Sequence, residues 1–123
     1  LARFQLASLA AKQGDLDSAI GAYKNLAEDD GIAAIYRDLA VVLGAFAELH
    51  AKSEGAGLVA RANELASGSS SWRFIAKEVG ALAALKNGDT ETARIRYEEL
   101  SKEAAAPQGL RARAQGMIDV LTE

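Results

Sequence analysis

The fold is decided by a stretch that occurs twice: residues 14–26 read GDLDSAIGAYKNL, and residues 88–100 read GDTETARIRYEEL. Five positions are identical at a constant offset of 74 residues: the glycine, the aspartate, an alanine, a tyrosine and a leucine. Half of that offset is 37, and the small residues Ala7, Gly44 and Ala81 fall on this shorter period within three predicted helices. The sequence therefore predicts three structural repeats of about 37 residues, the middle one with a degenerate second half.

Each Gly-Asp pair has a local mechanical role. The glycine closes the preceding helix in a left-handed conformation, and the aspartate carboxylate accepts hydrogen bonds from the free amides of the next helix. After the first pair, apolar residues follow the i, i+3, i+4, i+7 spacing of one buried helical face. They are Leu16, Ala19, Ile20, Tyr23, Leu26 and Ala27. Two helices thus meet in a tight turn and form a hairpin.

The spacing of apolar residues along the rest of the chain predicts seven helices. No β-strand is predicted, because no run of alternating β-branched residues is long enough to suggest a sheet. The predicted helices are 2–13, 15–29, 32–50, 56–67, 72–87, 89–104 and 108–122, with the strongest breaks at 29–31, 52–55 and 67–71. At 123 residues the chain fits one domain, 1–123. The expected fold class is all-α: three hairpin repeats at about 1–31, 32–68 and 72–106, and a capping helix at 108–122.

Composition argues against several kinds of partner. The net charge is −3 and there is no basic stripe, so no nucleic acid is expected to bind. The longest uncharged apolar stretch, residues 39–47, is about half of the roughly 20 residues that span a membrane, so no membrane contact by this fragment is expected. The chain begins at Leu1 without an initiating methionine. We therefore expect an excised fragment whose targeting or anchoring segment lies upstream.

Candidate residues for catalysis or metal binding are few. Cysteine is absent and His50 is the only histidine, so a Ser-His-Asp arrangement would depend on this one side chain. The acidic run at residues 28–30 lacks the spaced ligands and turn glycine of a calcium loop and is expected to be a solvated helix end. Asp15 and Asp89 are expected to be helix caps and not an acid–base pair. No catalytic residue, metal or cofactor is therefore expected.

The pattern of a small residue on the first helix, Gly-Asp at the turn, and alanine with an aromatic on the second helix resembles the tetratricopeptide repeat. Residues 1–30 and 72–104 carry this resemblance, which is partial between them. The spacing of 37 departs from the consensus of about 34 residues, and the consensus tryptophan is missing from every copy. The resemblance implies a right-handed stack of hairpins that acts in protein-protein interaction and is not an enzyme.

A narrower resemblance is carried by four features of the third repeat and the segment after it. They are residues 72–78 (WRFIAKE), the Gly88-Asp89 turn, Tyr97, and Pro107 followed by residues 110–114 (LRARA). Residues 36–40 (YRDLA) fit the same pattern. These stretches look like a family of membrane-anchored bacterial tetratricopeptide-like proteins that includes the ancillary subunit of the SecYEG translocon. This resemblance implies a periplasmic domain behind one N-terminal membrane anchor. It also implies an envelope adaptor near the secretion or chaperone machinery.

Stacked hairpins present an inner face, formed by the first helix of each pair, to an extended or helical peptide. The register of the three small residues predicts the candidate peptide-binding residues Phe4, Ser8, Ala11, Val41, Ala45, Glu48, Glu78, Leu82 and Leu85, and Trp72 and Arg73 are added to them for their chemistry. Tryptophan is enriched at binding hot spots, although the favoured interpretation is that Trp72 opens the fifth helix and packs over the preceding hairpin. The mixed apolar and acidic face suits an amphipathic peptide, particularly a basic one.

The expected partner is thus a protein or peptide. Two alternatives stay open: a homo-oligomeric structural spacer, and a cytoplasmic adaptor of the same repeat type.

Overall fold

In the computed structural model, residues 2–52 and 56–123 are described and contain seven helices and no strand. The helices are α1 (Ala2–Lys12), α2 (Leu16–Ala27), α3 (Ala34–Ala51), α4 (Leu58–Ala66), α5 (Arg73–Lys86), α6 (Thr90–Ser101) and α7 (Gln108–Leu121). The all-α fold class is confirmed. Of the predicted break at 52–55, only Lys52 is among the described residues, and 53–55 lie outside them, as does Leu1.

Both Gly-Asp turns have the predicted geometry. Gly14 and Gly88 adopt left-handed conformations with φ of +83° and +82°. In each copy the aspartate Oδ1 accepts a hydrogen bond from the backbone N–H three residues later, at 3.3 Å for Asp15 and 3.1 Å for Asp89. The aspartate N–H donates to the carbonyl five residues earlier at 2.9 Å in both copies. The two turns are therefore the same structural unit, 74 residues apart.

The helices pack in sequence order, each against the next, and α5 also contacts α3 and α7. Two apolar clusters form the core, one from α1 to α5 and the other from α5 to α7. Residues repeated between α2 and α6 are buried in both copies, namely Ala19 with Ala93, Tyr23 with Tyr97, and Leu26 with Leu100. Sequence repetition thus corresponds to repeated packing.

Gly44 lies at a close contact between helices, as its place in the repeat predicts. A Cβ atom added there would lie 2.5 Å from Leu58 Cδ1 and 2.9 Å from Tyr23 Cβ. Side chains from α2 and α4 therefore occupy the space that any larger residue would need. This contact fixes how closely α3 approaches its two neighbours.

The middle turn is built differently from the two Gly-Asp turns. Gly57, at the start of α4, has no side chain with which to cap the helix. A carboxylate from α3 takes this role: Glu48 Oε1 accepts from the Val59 N–H at 3.0 Å, and Oε2 accepts from the Ala56 N–H at 3.2 Å. The degenerate second half of the middle repeat is thus capped from the neighbouring helix.

The C-terminal segment is helical, as predicted. Pro107 occupies the position before the first residue of α7, with φ of −56°. Leu110 and Ala114 are buried in the second core cluster, which Met117 also contacts. Across the described ranges, no helix combines the length and apolarity required to cross a membrane.

Candidate protein-interaction surface

The predicted inner face is interrupted at its centre. On α1, Phe4, Ser8 and Ala11 are half-buried, and on α5, Glu78, Leu82 and Leu85 are half-buried. On α3, however, Val41, Ala45 and Glu48 are buried, so the prediction that they face a peptide must be corrected. The physical reason is that α3 is covered by α2, α4 and α5 together.

Glu48 shows why this part of the face cannot bind a peptide. Its side chain is only 3% exposed, and both carboxylate oxygens accept hydrogen bonds from the start of α4. An unpaired buried carboxylate is costly, whereas this one is satisfied by two backbone amides. The Glu48 carboxylate therefore caps the start of α4 and is not available to a peptide in an exposed groove.

Glu78 is also engaged within the protein. Its Oε1 and Oε2 accept hydrogen bonds from Arg113 Nη2 and Nε at 2.9 and 3.0 Å, which joins α5 to α7. The carboxylate raises the pKa of the Arg113 guanidinium through this hydrogen bond. Burial raises the pKa of the Tyr97 hydroxyl, and the charge of Glu78 adds to that effect. Leu82 and Leu85 are what remains of the predicted face on α5.

A different surface brings aromatic side chains together, at the N-terminal ends of α1, α3 and α5. A hollow of about 220 Å³ is lined by Arg3, Phe4, Leu26, Ile32 and Tyr36. The Phe4 ring contacts the buried Tyr23 ring in a tilted arrangement, with centroids 6.3 Å apart. Tyr36 is 48% exposed at the side of the hollow. The buried Tyr23 ring thus contacts the half-buried Phe4 ring, and Tyr36 is exposed beside the same hollow.

Trp72 extends this surface from α3 to α5. Its indole Nε1 donates a hydrogen bond to the Ile35 carbonyl oxygen at 2.7 Å. Its backbone N–H donates to Ser70 Oγ at 3.2 Å, and that hydroxyl donates to Asp38 Oδ2 at 2.9 Å. Trp72 therefore occupies the N-cap position of α5 and also lies over the start of α3, with its side chain half-buried. We call the combined surface the aromatic edge: Arg3, Phe4, Ile32, Ile35, Tyr36, Trp72 and Arg73.

The arginines of the aromatic edge are held by short contacts. Arg3 pairs with Asp29 at 2.6 Å, and this hydrogen bond is the main reason why the pKa of the Asp29 carboxyl is lowered. Arg73 Nη1 donates to the Ser70 carbonyl at 3.1 Å, and its guanidinium carbon lies 4.4 Å from the centroid of the Phe74 ring. A guanidinium has five N–H donors, so each arginine keeps donors for a partner.

Three of the sequence-predicted residues belong to this edge: Phe4, Trp72 and Arg73. Sequence reasoning missed Ile35 and Tyr36 as surface residues. The signal was present, because Ile35 and Tyr36 lie 37 residues before Trp72 and Arg73, at equivalent repeat positions. A periodic pair of large residues at the start of two helices predicts a shared surface.

The single histidine and the acidic side chains are the residues considered for catalysis or metal binding. His50 is exposed near the end of α3. In the part of the chain that the structure describes, no three His, Cys, Asp or Glu side chains are grouped closely enough to hold a metal ion. The aromatic edge presents side chains that can contact apolar and anionic groups of a partner.

Comparison with protein-family models, with curated proteins and with solved structures found no match to this chain. What the chain binds is accordingly inferred from its own residues.

Proposed function

We propose that this chain is a non-enzymatic protein-interaction module in which a peptide segment of the partner docks on the aromatic edge. The observation that carries the proposal is the fixed position of Trp72 on Ile35 beside the exposed Tyr36. Trp, Tyr and Arg are the residues most enriched at binding hot spots. Here the side chains of Trp72, Arg3 and Arg73 are held by hydrogen bonds, which lowers the entropy that binding would otherwise cost.

The dimensions of the hollow favour a peptide anchor over a small-molecule ligand. Its volume of about 220 Å³ is below the roughly 300–1,000 Å³ of pockets that enclose drug-sized molecules. Its walls are mainly apolar, with Arg3 at one side. An apolar side chain of a partner, with an acidic or carbonyl group beside it, fits these surroundings.

We further propose a right-handed stack of tetratricopeptide-like hairpins in an envelope adaptor, with its domain in the periplasm. The identical Gly-Asp turns and the repeated burial of Tyr23 and Tyr97 support the repeat assignment. The envelope location and the membrane anchor rest only on the resemblance of residues 36–40, 72–78, 88–89, 97, 107 and 110–114.

A photo-crosslinking experiment tests the edge. A photoreactive residue at Arg73 is used to identify a partner in an envelope extract, and the purified partner is then titrated onto Tyr36→Glu and onto the control Ile95→Glu. Ile95 is 43% exposed on α6, so the two changes are matched in exposure. We expect Tyr36→Glu alone to weaken binding. Equal binding by both folded variants would contradict the proposal.

One observation favours a second candidate, the homo-oligomeric spacer. Leu6 and Leu9, one turn apart on α1, are 67% and 50% exposed and form an apolar patch that could pair with the same patch of a second copy. Light scattering over a range of concentrations would test this. A dimer that dissociates in Leu6→Glu would support the spacer, and a monomer at every concentration would exclude it.

A further inference from the structure

A second cleft, of about 780 Å³, lies between α4, α5 and α6 and shares no lining residue with the aromatic edge. Gly80 forms part of its wall, with Asn63 of α4 and Arg96 of α6 close by. Lys77 and Lys102 also line it. Charged and amide side chains, including those of Glu99 and Glu103, thus outnumber the apolar residues that line the cleft.

A change between repeats explains why the cleft is open. Gly80 lies 37 residues after Leu43, which packs against the first core cluster. The residues on either side of this position are also equivalent in the two repeats. Val42 and Val79, one position earlier, are both fully buried, and Gly44 and Ala81, one position later, are both buried. The third repeat therefore lacks the leucine that fills the equivalent place in the second.

Polar groups occupy the surroundings of the missing side chain. A Cβ atom on Gly80 would lie 3.3 Å from Asn63 Oδ1 and 3.4 Å from Arg96 Nη1. Arg96 Nη1 donates to the Gly80 carbonyl oxygen at 2.9 Å, which orients the guanidinium along the wall of the cleft. The remaining N–H donors of Arg96 are left for other contacts.

Three cationic side chains line the cleft: Lys77, Arg96 and Lys102. Within the described ranges none of them forms a salt bridge, although the neighbouring Arg94 on α6 is paired with both Glu91 and Glu98. The Lys77 Nζ lies 5.5 Å from the Phe74 ring centroid. A carboxylate ligand would therefore meet cations that form no salt bridge, although the charge of Arg96 also acts on the Asp89 carboxylate. Hydrogen bonds between charged groups are stronger than those between neutral groups.

Glu99 and Glu103 also line the cleft and restrict which anions suit it. Two carboxylates would repel a densely charged phosphate, whereas a peptide can place one or two acidic side chains beside the cations and its amides beside Asn63. We propose that this cleft binds an acidic peptide segment of a protein partner. It would be a second docking site, separate from the aromatic edge, as an adaptor that joins two partners requires.

Blocked tetraglutamate titrated onto the whole chain by isothermal calorimetry at low ionic strength tests the proposal, with blocked tetraglutamine as the uncharged probe. We expect saturable binding of tetraglutamate. Arg96→Gln should weaken this binding about tenfold, because it removes one charged hydrogen bond to the peptide. Arg94→Gln, on the same helix but outside the cleft, should leave binding unchanged. The proposal is overturned by equal affinity for tetraglutamine, by an unchanged affinity in Arg96→Gln, or by equal weakening in both arginine variants.

Gly80→Leu tests whether the open space of the cleft is needed for binding, because it introduces the leucine that the second repeat has at the equivalent position, Leu43. We expect it to abolish tetraglutamate binding, whereas Gly116→Leu, at an open position on α7, should bind normally. Circular dichroism establishes that each variant is folded, and if Gly80→Leu does not fold, the Arg96→Gln result decides. Inorganic phosphate that binds as tightly as the peptide would overturn the peptide assignment. Because Tyr36→Glu leaves the cleft intact, failure at one site is distinguishable from failure at the other.

Discussion

Trp72 donates its indole N–H to the Ile35 carbonyl oxygen at 2.7 Å, and the two residues occupy equivalent positions of adjacent repeats, 37 residues apart. The bond therefore connects the start of one repeat to the start of the next. It fixes the spacing of α3 and α5 at the end where the aromatic edge lies. Stability and binding are both expected to depend on it.

Trp72→Phe keeps most of the aromatic area and removes the indole donor. We expect the free energy of unfolding to fall by about 0.5–1.5 kcal/mol, the net value of one hydrogen bond. Tyr36→Phe is the matched control, because it removes a hydroxyl from an exposed ring in the same surface. Urea denaturation measures both. Equal stability of Trp72→Phe and wild type would show that this hydrogen bond contributes nothing.

Gly44→Leu should destabilise the protein by roughly 1–3 kcal/mol, although leucine favours helix more than glycine does. The reason is that the new side chain must displace Leu58 or Tyr23, which already lie within 3 Å of its Cβ position. Ala81→Leu, at the buried equivalent position, should behave alike. Gly21→Ala is the control, because its surroundings are open, and should stabilise by about 0.5–1 kcal/mol. A raised melting temperature in Gly44→Leu would contradict the packing described.

Glu48→Ala removes the acceptors for the N–H groups of Ala56 and Val59 and leaves a cavity in α3. We expect a loss of about 2–4 kcal/mol, because hydrogen bonds to charged groups contribute about 1.5–3 kcal/mol and truncation adds a packing term. Glu99→Ala, on an exposed part of α6, is expected to change stability by less than about 0.5 kcal/mol. Chemical denaturation with hydrogen exchange of the α4 amides would locate the effect. Unaltered protection of α4 in Glu48→Ala would contradict the capping role.

These residues also show what a sequence can and cannot predict here. The helices and the Gly-Asp turns could be predicted, because Gly14, Asp15 and their copies act through contacts within a few residues. The burial of Val41 and Ala45 could not, because helical register indicates the direction of a side chain but not whether another helix covers it. Glu48 caps a helix eight to eleven residues later, and no local capping pattern identifies such a pair.

The two proposed sites also differ in how far the sequence alone could have predicted them. The aromatic edge could have been found from the sequence, since Ile35 and Trp72 share a repeat position and both are large. The cleft beside Gly80 exists because the third repeat has glycine where the second repeat has Leu43. One of its walls is formed by Arg96, which comes from another helix. The absence of a side chain becomes informative only when the residues around it are known.

Acid should destabilise the protein partly through Asp89. The hydrogen bonds from Thr92 lower the pKa of this carboxyl below its usual value of 3.8. The group therefore contributes stability that is fully present above the unfolded pKa and is lost as pH falls through the lower folded pKa. Asp89→Asn keeps an N-cap acceptor but cannot titrate. We expect a shallower loss of urea resistance below about pH 4 in this variant than in wild type. Identical pH profiles would contradict this assignment.

Helix α7 is expected to protect the second core cluster, so deleting residues 107–123 should lower the melting temperature and cause association. The deletion exposes the surfaces of α5 and α6 that Leu110 and Ala114 now cover, and a solenoid end without a cap is prone to such association.

Leu110→Ala tests the same packing without shortening the chain. Leu110 is 2% exposed, so the truncation should cost about 2–5 kcal/mol. Ala112→Ser, on the exposed side of the same helix, controls for general effects on α7 and should cost less than about 1 kcal/mol. Thermal denaturation and light scattering measure both properties. If the truncated protein remained monomeric with an unchanged melting temperature, α7 would not seal the core. A neutral Leu110→Ala would give the same answer, because the cap stabilises through the apolar face that this leucine anchors.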